Sequence, residues 1–218
     1  MRLTLLNGSP RGKRSNSQVI LRWFQEGFES DFEVFNINQP RFFEKAIDDI
    51  VLSDTILLVV PLYVDSMPAQ VLRFFEVLNE QREQLAGKRI GFFIHSGFSE
   101  GYQSYSLRDT LERIAFKLGL DLLPSVIMGG SEGVRLMPDN YQKKNRNAVI
   151  GLGRELKEQG TFTNTFTDIL IKPIRLSKTR QTVMKTMIKT GTMQLYWNNW
   201  LKRNNAYEKR FARPYENK

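Results

Sequence analysis

The chain has no cysteine and a single histidine among its 218 residues, and these two gaps exclude several kinds of chemistry. Without cysteine, disulfides, thiolate nucleophiles and cysteine-ligated iron–sulfur clusters are impossible, and a cytoplasmic location is the simplest expectation. The one imidazole, His95, ends an apolar run, which is more typical of a packed core side chain than of a metal ligand. We therefore predict no metal site.

Long apolar runs and the common nucleotide-binding motifs are also missing. No stretch reaches the roughly 18 apolar residues of a membrane-spanning helix, and the first residues lead into a predicted strand rather than a signal peptide. Gly8 and Gly12 stand too close together for a nucleoside-triphosphate loop, and Lys13 is not followed by Ser or Thr. The glycines between positions 129 and 133 do not have the dinucleotide-binding spacing.

One loop does have the composition of a phosphate site. Residues 3–17 read LTLLNGSPRGKRSNS, an apolar strand and a polar loop that precede an amphipathic helix. A helix start presents unpaired N–H groups and the positive end of the helix dipole, which favour an anion. Side-chain donors are expected from Ser9, Arg11, Ser15, Asn16 and Ser17. One phosphate monoester is the expected guest, and FMN fits this description; an ordinary βα loop is the alternative.

Short apolar runs alternate with helical periods along the first 160 residues. The runs at Leu3–Leu6, Ile56–Val60, Ile90–Ile94 and Leu122–Met128 are typical of buried parallel strands, and a weaker strand is expected at Phe32–Phe35. This alternation predicts an α/β fold with a doubly wound, five-stranded parallel sheet. Its ligand site is expected beyond the carboxyl ends of the strands.

Two further loops after predicted strands have features that suit a flat ligand. VPLYVDSMPAQV at 60–71 carries an aromatic and a methionine, and HSGFSEGYQSYS at 95–106 mixes aromatics with two glycines that let backbone groups approach a ring. The alternative is that Tyr63, Val64 and Met67 only pack over the end of the sheet and bind no ligand. Tyr63, Asp65, Glu100 and Tyr102 are pocket candidates, and we assign no general acid or base.

Taken in this order, NGSPRGKRSNS, PLYVDSMPAQVLRFFE and HSGF resemble the flavodoxin-like NAD(P)H-dependent FMN reductases, a group that includes multimeric flavodoxins and quinone reductases. The resemblance covers roughly residues 1–160. It implies bound FMN, with its phosphate at Ser9, Arg11, Ser15, Asn16 and Ser17. It also implies that the flavin ring lies among Pro61, Leu62, Tyr63, Val64, Asp65, Ser66, Ser96, Gly97 and Phe98. The iron–sulfur branch of this group is excluded, because the chain has no cysteine.

The activity that this resemblance implies is transfer of electrons from NAD(P)H through FMN to a quinone, a flavin or a similar small molecule. We expect a homodimer or tetramer. The alternative is a non-catalytic, flavin-binding electron carrier or binding module, which its basic tail docks to a partner or a membrane.

Positive charge is concentrated at the C-terminal end. The formal net charge is +9, yet residues 172–218 hold 12 Lys and Arg against two carboxylates, or +10. We therefore expect an FMN-binding domain at 1–160 and a basic, aromatic-containing extension at 161–218. From Val183, apolar residues recur at helical spacing beside lysines, with Trp197 and Trp200 following. A packing arm on a neighbouring subunit is the favoured role, a membrane surface is second, and nucleic acid is the least favoured.

Overall fold

The computed structural model describes residues 1–137, 139–213 and 215–216. These residues form two compact units, Met1–Arg175 and Leu176–Lys218.

The first unit is built on a parallel sheet. Its strands are β1 (Leu3–Asn7), β2 (Val34–Asn36), β3 (Thr55–Pro61), β4 (Arg89–His95), β5 (Asp121–Leu122) and β6 (Val126–Met128). The strand order is β2-β1-β3-β4-β5, and β6 continues beside β4 where β5 ends. The predicted five-stranded parallel sheet is confirmed, with its last strand in two pieces. Pro124 lies between these pieces and has no N–H to donate to the ladder.

Helices cover the two faces of the sheet. They are α1 (Asn16–Phe28), α2 (Phe43–Leu52), α3 (Ala69–Leu78), α4 (Tyr105–Leu118), α5 (Lys143–Gln159) and α6 (Asn164–Ile171). One apolar core lies under α2, α3 and α4, and the other lies under α1, α5 and α6. The strands are apolar on both sides because helices bury both faces.

Helices α1 and α5 approach each other through glycines. A Cβ atom on Gly27 would lie 1.8 Å from the carbonyl oxygen of Ile150, and one on Gly153 would lie 2.2 Å from that of Phe24. Both distances are far below van der Waals contact, so no larger side chain fits without separating the helices.

The first unit extends past residue 160, where the sequence analysis placed its end. Phe162 and Leu170 are buried in the core under α1 and α5, which brings α6 into the domain. Beyond α6, the backbone N–H groups of Gly101 and Tyr102 donate to the carbonyls of Pro173 and Ile174, at 3.0 and 3.3 Å. Residues 171–175 therefore belong to the first unit.

The described part of the second unit contains the helices α7 (Lys178–Lys189) and α8 (Thr192–Arg203). Gly191 separates them in a left-handed conformation with φ +71°, so the helical pattern from Val183 is interrupted there. Helix α7 buries no side chain. Across the residues described, no helix is long and apolar enough to span a membrane.

Candidate functional site

The carboxyl ends of β1, β3 and β4 lie at one edge of the sheet, and a loop follows each of them. Asn7 is paired in register with Val59, and Pro61 with His95. Gly8 joins the first loop to the second: its N–H donates to Val59, and a Cβ atom there would lie 3.1 Å from the side chain of Val71. The predicted loops are therefore neighbours.

Asn7 organises the first loop from inside. Its side chain is fully buried, and its Oδ1 accepts the N–H of Ser9 at 3.0 Å. Its Nδ2 lies 3.0 to 3.3 Å from four acceptors, which belong to Gly12, Ser15, Gln18 and Asn36. One amide therefore ties the loop to α1 and β2. Sequence reasoning missed this role, although an Asn that ends a buried strand was the available signal.

The hydroxyl of Ser15 is used within the loop. It donates to the carbonyl oxygen of Gly12 at 2.6 Å, and its oxygen accepts the N–H of Gln18, which caps α1. The backbone N–H groups of Asn16 and Ser17 have no acceptor within the helix, as in the first turn of every helix. The first turn of α1 thus keeps backbone donors while the Ser15 side chain is occupied.

Asn16 links the same helix start to the loop after β6. Its Nδ2 donates to the carbonyl oxygen of Ser131 at 2.8 Å, and its Oδ1 accepts the N–H of Arg135 at 3.1 Å. Ser9 and Arg11 lie at the beginning of the loop, where the Oγ of Ser9 accepts the N–H of Arg11 at 3.3 Å. Ser9 is buried and Arg11 is exposed.

His95 connects the first and third loops. Its Nε2 lies 2.8 Å from Oγ of Ser17, and its Nδ1 lies 2.9 Å from Oγ of Ser131. Ser131 donates its one hydroxyl proton to the carbonyl oxygen of Ser96, so Nδ1 must carry the imidazole proton. Nε2 then accepts the Ser17 hydroxyl proton. Burial lowers the pKa of His95 to about 4, which keeps the ring neutral at pH 7.

The second loop is a tight hairpin turn. Tyr63 and Ser66 exchange backbone hydrogen bonds of 2.9 and 3.0 Å, and Val64 and Asp65 between them have φ +47° and +59°. A β-branched residue with a positive φ is strained, because such turns favour Asn and Gly. Val64 is 98% exposed. Pro61 and Leu62 are buried at the base of the turn.

The third loop is held by the segment that follows β6. The N–H of Ser96 donates to the carbonyl of Met128, and the N–H of Gly130 donates to that of Phe98 at 2.7 Å. A Cβ atom on Gly97 would lie 2.9 Å from a carboxylate oxygen of Glu132. The ring of Phe98 remains about half exposed. Residues 129–132 thus belong to this site, although the sequence analysis did not include them.

The pocket candidates Asp65 and Tyr102 contact different parts of the chain. The backbone carbonyl of Asp65 accepts the Ser106 hydroxyl at 2.9 Å. The guanidinium carbon of Arg175 lies 4.5 Å from the centroid of the Tyr102 ring. The described residues include no cluster of carboxylates and imidazoles that could hold a metal ion.

The family model for NADPH-dependent FMN reductases matches residues 1–118, which is more than half of the chain. The chain belongs to this family. The match begins before β1 and ends with α4, so it contains all three loops. Membership makes the chain an NAD(P)H-dependent FMN reductase, with FMN as cofactor and NAD(P)H as co-substrate.

Solved structures share the fold of this FMN reductase at low identity. The Trp repressor binding protein from Bacillus subtilis is 16% identical, with a TM-score of 0.57 over 72% of this chain and 99% of its own. The NAD(P)H:quinone oxidoreductase from Methanothermobacter marburgensis is 17% identical, with a TM-score of 0.56 over 72% and 96%. A flavodoxin from Archaea is 13% identical, with a TM-score of 0.51 over 73% and 98%. The expected flavodoxin-like fold is therefore confirmed. A search of curated proteins gave no significant match.

Proposed function

We propose that this FMN reductase binds its flavin across the three loops and passes electrons from NAD(P)H to a quinone, a free flavin or a similar small molecule. The observation that carries the proposal is the hydrogen-bonded chain Ser17–His95–Ser131–Ser96, which fixes the start of α1 against the third loop. This chain would hold a phosphate site and a ring site in one geometry, as flavin binding requires.

The first loop fits the phosphate of FMN. We assign the phosphate to the hydroxyl of Ser9, the guanidinium of Arg11 and the backbone N–H groups of Ser15, Asn16 and Ser17. The hydroxyls of Ser15 and Ser17 donate inward, so these residues contribute through the backbone. Among the described residues, Arg11 has no carboxylate at ion-pair distance, which leaves its charge available for an anion.

The second and third loops fit the flavin ring. Residues 61–66 would border one side with the exposed ring of Tyr63, and residues 96–98 would border the other with backbone groups and Phe98. The chemistry supplied by bound FMN is acceptance of hydride from a nicotinamide and donation of electrons to the second substrate. The chain's own residues would bind and orient the flavin and exclude water from it. We assign proton transfer to none of them.

Calorimetry with FMN and riboflavin tests the phosphate assignment. We expect FMN to bind much more tightly than riboflavin. Arg11→Ala should weaken FMN binding roughly 10- to 150-fold, which corresponds to the about 1.5–3 kcal/mol of a charge-assisted hydrogen bond. Riboflavin affinity should not change in this variant, which serves as the internal control. Equal affinities for FMN and riboflavin in the unmodified protein would refute the assignment.

Anaerobic spectroscopy tests the activity. The FMN-loaded protein should lose its visible absorbance with NADH or NADPH and regain it with a quinone or free flavin. The quinone oxidoreductase among its structural neighbours supports a quinone as one acceptor. Flavin that stays oxidised with excess of both nicotinamides would favour the alternative, a non-catalytic electron carrier.

For the second unit we propose an arm that packs on a neighbouring subunit of a homodimer or tetramer. Large apolar side chains are exposed along it, namely Val183, Met187, Ile188, Leu195 and Trp197. Exposed apolar patches of this kind mark contact surfaces. An anionic membrane surface is the second candidate, because lysines lie beside these residues; nucleic acid is less favoured.

Removal of residues 176–218 separates these candidates. An arm predicts an oligomer by light scattering for the full chain and a shift toward monomer for the truncated one. A membrane contact predicts that the full chain floats with anionic liposomes, that salt weakens this binding, and that the truncated chain does not float. A monomeric full chain that ignores liposomes would contradict both.

A further inference from the structure

A groove of about 1000 Å³ runs beside β2, an edge strand of the sheet. Its lining includes the first loop and residues that follow β2. Its volume is that of a site for a cofactor-sized molecule. The three loops assigned to FMN include only the first of these two segments, so most of the groove lies outside the flavin site.

The groove carries an excess of unpaired positive charge. Lys45 on its wall is paired with Glu33, and Asp31 is the other carboxylate of the lining. Four further cations line it, namely Arg11, Lys13, Arg14 and Arg41. None of these four has a carboxylate at ion-pair distance among the described residues. Like charges held close together repel, and a multiply charged anion would offset that repulsion.

An amide with an unpaired oxygen belongs to the lining of the same groove. The side-chain oxygen of Asn38 is buried and has no hydrogen-bond partner in the described part of the chain. Gly12 lies against this amide: it has φ +53°, and a Cβ atom on it would lie 3.1 Å from Nδ2 of Asn38. A phosphate dianion offers only acceptors, whereas a ribose hydroxyl or an exocyclic amine donates. The unpaired amide therefore favours a ligand that carries donors as well as negative charge.

An aromatic ring completes the set. Phe42 is 39% exposed and lines the groove, and the guanidinium of Arg41 lies 4.8 Å from its ring centroid. A planar base can stack on such an aromatic and arginine pair. Cations, a hydrogen-bond acceptor and a stacking surface together match a phosphorylated nucleoside.

We propose that the β2 groove binds the phosphorylated adenosine end of NADPH. This inference rests on the proposed function, which places the nicotinamide at the loops after β3 and β4. Strand β1 separates β2 from β3, so the two ends of the co-substrate would be about two strand spacings, or about 10 Å, apart across the sheet. The adenylate of FAD shares this chemistry, but the 2′-phosphate of NADPH adds a dianion, which is favoured by the three cations that the FMN phosphate leaves unpaired, Lys13, Arg14 and Arg41.

Calorimetric titration with 2′,5′-ADP tests the groove directly. We expect binding to both the flavin-free and the FMN-loaded protein, with 5′-AMP and inorganic phosphate each about 10-fold weaker or more. Arg41→Gln and Arg14→Gln should each weaken 2′,5′-ADP binding by about 10-fold or more. Arg22→Gln removes the same charge from the exposed surface of α1, outside this groove, and should leave the affinity unchanged.

Kinetics with the two nicotinamides add a second readout. Arg41→Gln should raise the KM for NADPH and leave that for NADH unaltered. Unchanged 2′,5′-ADP affinity in the Arg41 and Arg14 variants, or inorganic phosphate that binds as tightly, would overturn the proposal. FAD binding that is lost in these variants while 2′,5′-ADP does not bind would assign the groove to the flavin's adenylate instead. Because 2′,5′-ADP binding is measured without flavin, failure of the FMN site would be seen separately.

Discussion

The two units of the chain bury their apolar residues to very different extents. In Met1–Arg175 two cores enclose the sheet, whereas α7 in Leu176–Lys218 buries no side chain. Their charges differ as well: residues 176–218 hold 10 Lys and Arg against two carboxylates, or +8, and +1 of the total of +9 remains for the rest. The first unit is therefore stabilised by its own interior, whereas the second exposes large apolar side chains and a net positive charge.

The largest expected difference comes from two truncations. Removal of residues 161–218 deletes the buried Phe162 and Leu170, and burial of two such side chains is worth about 3–6 kcal/mol. Removal of residues 176–218 should change the free energy of unfolding of the first unit by less than about 1 kcal/mol. Urea denaturation followed by circular dichroism measures both. Similar losses for the two truncations would mean that the second unit contributes to the core.

Glycines at helix contacts provide the next test. Gly27→Val should destabilise the first unit by about 3 kcal/mol or more, because the new side chain overlaps the backbone of Ile150. Gly191→Ala in the second unit is the matched control. A Cβ atom there would meet only the side-chain oxygen of Gln194, at 4.0 Å, and its left-handed backbone costs about 1 kcal/mol locally. Thermal unfolding should therefore shift strongly for the first variant and little for the second.

Acid should weaken the first unit through His95. The unfolded chain takes up a proton near pH 6.5, but the buried ring does so only at about 4. Between these values the unfolded state binds more protons. The free energy of unfolding therefore decreases as the pH is lowered from 6.5 to 4, by up to about 3 kcal/mol, and this contribution levels off below pH 4. Since His95 is the chain's one histidine, NMR titration of its ring checks the pKa.

The His95→Gln variant is the control for that acid effect. It lacks the titrating ring, so it should lose this contribution to the pH dependence of unfolding between pH 6.5 and 4. An unaltered slope in this variant would show that carboxylates cause the acid sensitivity.

The smallest effect is expected at the strained turn. Val64→Asn should raise the free energy of unfolding by up to about 1 kcal/mol, because Asn tolerates a positive φ better than a β-branched residue. Val183→Asn changes another exposed valine, on α7, and should not affect unfolding of the first unit. Chemical denaturation of both variants measures the difference. A loss of stability in Val64→Asn would show that the valine makes a favourable contact.

The fold was predictable from sequence because its signals are local. Buried strands such as Thr55–Pro61 are continuous apolar runs, and the parallel sheet follows from their alternation with helices. The break at Pro124 was a local signal too, but one apolar run was predicted across it. The extent of the first unit was not evident, because it depends on which helix Phe162 and Leu170 contact.

The candidate site was predictable in part. The polar loop at 8–17 and the loop at 60–71 have recognisable compositions. The tight turn at 63–66 was not predictable, because Val64 is an unusual residue at a positive φ. The roles of Asn7 and His95 were not predictable, because their partners are set by the fold. Ser17 and Ser131 lie 78 and 36 residues away from His95 in the sequence. A lone His at a strand end indicates burial, but only the packed structure specifies its two hydrogen bonds.

The hydrogen bonds from Gly101 and Tyr102 to Pro173 and Ile174 set an order for assembly during synthesis. A ribosome makes the chain from its N-terminus, so the loops after β1 and β3 have emerged long before residue 173 is translated. The loop after β4 lacks these two partners until then. The third loop is therefore completed last, and a chain that ends between residues 135 and 172 would keep its bonds to Met128 and Gly130 but lack those of Gly101 and Tyr102.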